Sequence, residues 1–235
     1  LLRLLQAKNA WFDSYIEYIY AAKWRFDYTP TDVAQFRASI AKVATPLYLK
    51  QLEQRKQDLG VASLLPYDLV VDPTGLPPLR PFELAEELTQ KTINWLTTID
   101  PRFGERISHL NDQWLFDLAS RKGKQPGGYN YPMLGQWVSF VFANVAGTMG
   151  DVETMLHECG HALHQRFMEH LPLWIFKEYP SEVAEVASMS MELFSYDMWD
   201  QFSLTSEELK RAKQKIKDMY DELYNPISYE WGNIT

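Results

Sequence analysis

Cysteine is nearly absent: Cys159 is the single one in the chain, so no intramolecular disulfide can form and a reducing, cytoplasmic setting is the expectation. Long apolar runs are missing too, since no stretch approaches the roughly 18 apolar residues a membrane helix needs. The opening "LLRLL" is too short for a signal peptide and is followed by no small-residue cleavage site. Positive charge is in deficit, with 23 Lys and Arg against 31 Asp and Glu and a net charge of −8. No basic stripe is available to neutralise phosphates, which argues against a nucleic-acid partner. The densest basic group, 210–217, is interleaved with polar residues in a helical pattern and reads as a solvated helix face. Internal repeats and low-complexity tracts are also lacking.

What is present is an ordinary globular balance, 46% hydrophobic and 23% charged, with a high aromatic share that includes eight tryptophans. Such a chain has a bulky core or a lined groove. Its 235 residues open on Leu1 inside a helical pattern and end at Thr235 without a cap, and are read as a piece of a longer protein.

Helical periodicity dominates. Large apolar residues recur at three- and four-residue spacings over 1–26. A new helix is expected at "DYTPTDVAQF", with Thr29 as N-cap, Pro30 in the first turn and Gly60 as the C-terminal stop. Residues 72–81, "DPTGLPPLRP", form a loop, and helices resume at about 82–98 and 101–120. The stretch 123–135, with four glycines and two prolines, is a loop or a boundary. After it "QWVSFVFANV" is the best strand candidate. Helices are then expected over about 149–170, from "YPSEVAEV" with Ser181 as N-cap, and over 206–223 with Thr205 or Ser206 capping. The fold class is mainly α, with a small β-sheet beside the histidine helix.

Within "TMLHECGHALH" lies the pattern H-E-x-x-H. Residues four apart share a helix face with Cβ atoms about 5–6 Å apart, so His157 and His161 can close on one zinc ion. Glu158, rotated about 100° from His157, flanks the metal and can accept a proton from water there. A third ligand is needed. His164 is too far from His157, because seven residues rise about 10.5 Å along the axis, so it is a candidate for the surrounding shell or a satisfied core histidine instead. The single-segment metzincin pattern would need histidine where Phe167 stands and glycine where His164 stands, and is excluded. A glutamate from the following helix remains. Glu182 and Glu185 share one face among Val183, Ala184, Val186 and Ala187, which look buried, and spacing does not choose between the two carboxylates. Cys159 lies on the opposite face from both histidines and reads as a packing thiol.

"DVETMLHECGHALHQ" followed by "SEVAEVASMSMELF" resembles the M3 family of zinc metallopeptidases, which includes thimet oligopeptidase and oligoendopeptidase F. "FANVAGTMGDVETMLHE", "FDYTPTDVAQF" and "LGVASLLPYDL" extend the resemblance over most of residues 20–215. It implies a zincin-like helical catalytic domain, one Zn²⁺ per chain, and cleavage of short peptides. Position by position, it places the metal ligands at His157, His161 and Glu185 and the catalytic base at Glu158. Glu153, His164 and Glu192 are candidates for supporting the ligands. Residues 1–122 are expected to form part of a channel wall. Residues 123–235 form the metal-binding catalytic region, with the strand at about 138–146 as an edge strand that pairs with the substrate backbone. The family's late histidine has no counterpart after His170, and Tyr220, Tyr224 and Tyr229 do not match its carbonyl-polarising tyrosines. The alternative to an active peptidase is therefore a piece that binds zinc and peptides without turnover.

Overall fold

The computed structural model describes residues 1–214 apart from 70, 134, 197, 198, 200, 201 and 203. It is mainly helical with one three-stranded sheet, as expected, and gathers into two compact units, within residues 1–77 and 78–213. No helix among the described residues is long and apolar enough to cross a membrane.

The first unit holds α1 (Leu2–Asn9), α2 (Tyr15–Ala22) and α3 (Pro30–Leu59). The helical pattern of 1–26 is interrupted because Ser14 and Glu17 form a reciprocal capping box that starts α2 afresh. Thr29 and Asp32 build the same device at the start of α3, and Gly60 ends it in the left-handed conformation, φ 65°. The large apolar residues that recur over 1–26 are not buried: Ala7 is the one buried residue described in these three helices.

The second unit carries α4 (Ala85–Ile99), α5 (Pro101–Asp112), β1 (Phe116–Ala119), β2 (Tyr129–Met133), β3 (Val138–Val145), α6 (Met149–Phe167) and α7 (Ser181–Ser195). The helix expected to reach 120 stops early, with Trp114 in a left-handed conformation turning the chain into β1. Its core joins Leu88, Trp95 and Leu96 of α4, Ile107 and Leu110 of α5, Val141 of β3 and Val152, Met155, Leu156, Cys159 and Leu163 of α6. Each fully buried leucine there contributes roughly 1.5–3 kcal/mol before chain entropy is subtracted.

Two features of the sheet differ from expectation. The stretch 123–135 lies inside this unit and contains β2, hidden in the sequence by Pro132 and its glycine neighbours. The strand order is β1-β3-β2, so β3 is the central strand and not an edge. The reason is its burial: Ser139, Val141, Phe142 and Ala143 point to both faces, as a strand covered on two sides requires. It pairs parallel with β1 and antiparallel with β2. The Val141 N–H donates to the Leu115 carbonyl, on the β1 side. Its β2 partner Asn130 therefore turns its own backbone outward, as does Pro132 two residues on. A proline fits there because no sheet hydrogen bond is asked of it.

α7 also corrects the reading. Pro180, not Ser181, is the cap residue, and the Ser181 hydroxyl donates to Glu182 instead. Val183 and Val186 are exposed, the latter at 67%. Thr205 caps the last helix through Glu208, and 206–214 are helical. The remainder of the expected 206–223 helix, and Tyr220, Tyr224 and Tyr229, lie outside the described residues.

Candidate metal centre

α6 starts at Thr148, whose backbone N–H and hydroxyl both donate to Asp151. The same carboxylate accepts the Ala146 N–H and so ties the end of β3 to the first turn. From this start, the helical period brings His157 and His161 to one face, with Nε2 atoms 3.2 Å apart and rings at right angles. The third vertex comes from α7: Glu185 Oε2 lies 3.3 Å from His157 Nε2 and 3.7 Å from His161 Nε2.

These three edges test the fit to a metal. Ligand atoms about 2.05 Å from a tetrahedral zinc ion stand about 3.3 Å apart. The observed triangle of two imidazole nitrogens and one carboxylate oxygen has about that size. Among the described residues His157, His161 and Glu185 are the group of potential ligands close enough to hold an ion. Glu182, the alternative that spacing left open, is outside it.

The surroundings orient the three. Glu192 Oε1 is 2.6 Å from His157 Nδ1, so the ring donates there and keeps the Nε2 lone pair toward the centre. The buried Ser188 hydroxyl donates to Glu185 Oε2 at 2.9 Å. Burial, and then the neighbouring His157, lower the proton affinity of His161, which favours the neutral ring a metal needs. α7 reaches this close because Gly160 has no side chain: a Cβ there would stand 2.7 Å from Ser188 Cα and 2.9 Å from the Ala187 carbonyl oxygen. Sequence reading passed over Gly160 and Ser188, since nothing local marks them. A glycine between two motif histidines is the one available clue.

Glu158 is only 6% exposed. Burial raises its pKa above the ordinary carboxylate range, and Glu185 adds to this, while His157 and a hydrogen bond from the Asn130 backbone N–H act in the opposite sense. Its Oε2 is buried without a hydrogen-bond partner among the described residues. β2 can come this near because Gly128 sits against α6: a Cβ there would be 3.0 Å from Thr154 Cγ2 and 3.6 Å from Glu158 Oε1. A cavity of about 360 Å³ opens here, bordered by Gly128, Glu153, His157, Glu158 and Glu192. Another, of about 420 Å³ between α5 and the start of β3, contains none of the candidate ligands.

His164 stands apart, its ring 4.5 Å from that of Tyr179 and its proton affinity lowered by burial. Cys159 is fully buried on the far side of α6, and burial pushes its thiol pKa up. That environment disfavours the thiolate a reactive cysteine needs.

The family model for peptidase family M3 matches residues 1–226. Chromosomal oligoendopeptidase F of Lactococcus lactis subsp. cremoris is 26% identical over 147 residues, which is 63% of this chain and 24% of that protein. Group B oligopeptidase PepB of Streptococcus agalactiae is 24% identical over 170 residues, 71% of this chain and 27% of that protein. The chain thus spans about a quarter of the length of these relatives. Among solved structures, Pz peptidase A with inhibitor 2 superposes with a TM-score of 0.81 at 29% identity, covering 94% of this chain and 38% of that one. With its family model matched over nearly all its length, this chain belongs to peptidase family M3.

Proposed function

We propose that this chain is the metal-binding part of a zinc-dependent endopeptidase that hydrolyses short peptides. The observation that carries the reading is the zinc-sized triangle of His157, His161 and Glu185 beside a buried carboxyl with one unpartnered oxygen. Zinc, when bound, supplies Lewis acidity that eases deprotonation of water and polarises the scissile carbonyl. The chain's own residues do the rest. His157, held by Glu192, and Glu185, held by Ser188, bind and orient. Glu158 takes a proton from the attacking water and delivers it to the departing amine, and its raised proton affinity suits that task. The peptide lies along the outward edge of β2, which takes over the role first given to β3. In this scheme the chemistry belongs to 123–235, residues 1–122 serve as channel wall, and the setting is cytoplasmic.

The test is hydrolysis of an internally quenched peptide by zinc-loaded protein, with and without chelator. Chelation should abolish turnover and zinc restore it. Glu158→Gln should retain zinc and lose about 10²–10⁴ in rate, the usual contribution of a positioned base. Turnover indifferent to chelator or to Glu158→Gln sinks the proposal. Zinc and peptide binding without turnover favours the non-catalytic alternative.

A further inference from the structure

The outward edge of β2 is one-sided in its hydrogen-bonding groups. Of its five residues, Asn130 and Pro132 turn their backbones away from β3, as the pairing register and the Val141–Leu115 hydrogen bond require. Pro132 has no N–H to offer. The Asn130 N–H is already directed at the Glu158 carboxyl. What this stretch leaves for a ligand is two carbonyl oxygens, two residues and so roughly 6.8 Å apart along the strand. The edge is accessible, with Pro132 exposed and the adjoining Tyr131 at 60%.

We propose that β2 reads its peptide through substrate N–H groups alone, with Pro132 as a specificity-determining residue that deletes the donor a sheet edge would otherwise present. This rests on the peptidase reading above and narrows it. An extended peptide beside β2 must offer N–H groups on two alternate residues, one to each carbonyl. Proline or N-methylation at either of those positions leaves a covered carbonyl unpaired and adds a clash, so such peptides are rejected. The positions between tolerate both. Pro132 also has a plainer use, because proline on an exposed strand blocks edge-to-edge association between molecules. The two roles make different predictions.

The experiment uses a fluorescently labelled octapeptide of Ala, Gly and Leu and a set of analogues, each N-methylated at one position. Binding to metal-free protein is followed by anisotropy, so that it does not depend on turnover. Two positions, two residues apart, should lose at least about tenfold in affinity, with the position between them unchanged. Pro132→Ala, which restores one donor, should bind the parent octapeptide about two- to tenfold more tightly while eluting at the wild-type size. A flat scan overturns the inference, as does Pro132→Ala that self-associates but binds the peptide like wild type. Either result leaves the peptidase reading standing if zinc-loaded wild type still cleaves the quenched peptide. An alternating scan in a protein with no turnover supports the acceptor-only edge and removes the peptidase reading instead.

Discussion

Two seams meet on α6, and they are built differently. Toward α7, helix meets helix with no side chain between Gly160 and the Ser188 backbone. Toward β2, helix meets strand at Gly128, where the nearest atoms are the Thr154 methyl and the Phe142 carbonyl oxygen. The first seam determines where Glu185 stands relative to His157 and His161. The second determines where the Asn130 N–H meets Glu158. One glycine thus governs metal binding and the other governs the base. They differ in tolerance, because backbone at 2.7 Å cannot rotate away and a threonine methyl can.

The largest effect is therefore expected at the α7 seam. Gly160→Ala must displace α7, at about 1–3 kcal/mol of stability. Glu185 lies on that helix, so zinc affinity measured by competition with a chromophoric chelator should fall at least about 100-fold, beyond the usual penalty for losing a supporting contact. Wild-type affinity in this variant would break the distinction between the seams. Glu192→Gln leaves the helix in place and weakens only the hold on His157. It should lose about 10–100-fold in zinc affinity or activity, and no change would show that the 2.6 Å contact has no orienting role. Gly128→Ala is the mildest. Zinc affinity and KM should stay at wild type while kcat drops up to about tenfold, as a small misplacement of the base predicts. Adding Thr154→Ala removes the obstructing methyl and should restore kcat. A double variant as slow as the single one would refute the steric account of this seam.

The same contrast explains what was legible in the sequence. His157 and His161 are readable because four residues of helix bring any two side chains together, whatever surrounds them. The caps at Thr29, Gly60 and Thr205 are equally local. The choice between Glu182 and Glu185 is not, since both occupy one face of α7 and only the packing at Gly160 selects the nearer. β3 looked like a strand but its rank in the sheet depends on β1 and β2, and these were hidden inside a helical pattern and a proline-glycine loop. Val183 and Val186 mislead for a related reason: small apolar residues suit a buried face and an exposed one alike until a neighbour is known.

The central claim is that α6 and α7 together make one zinc site. Crystals of the zinc-loaded chain, measured on both sides of the zinc absorption edge, test it most directly. The account predicts a single anomalous peak bonded to His157 Nε2, His161 Nε2 and Glu185 Oε2, with Glu192 still on His157 Nδ1. A peak elsewhere, a peak lacking Glu185, or none at all would contradict it.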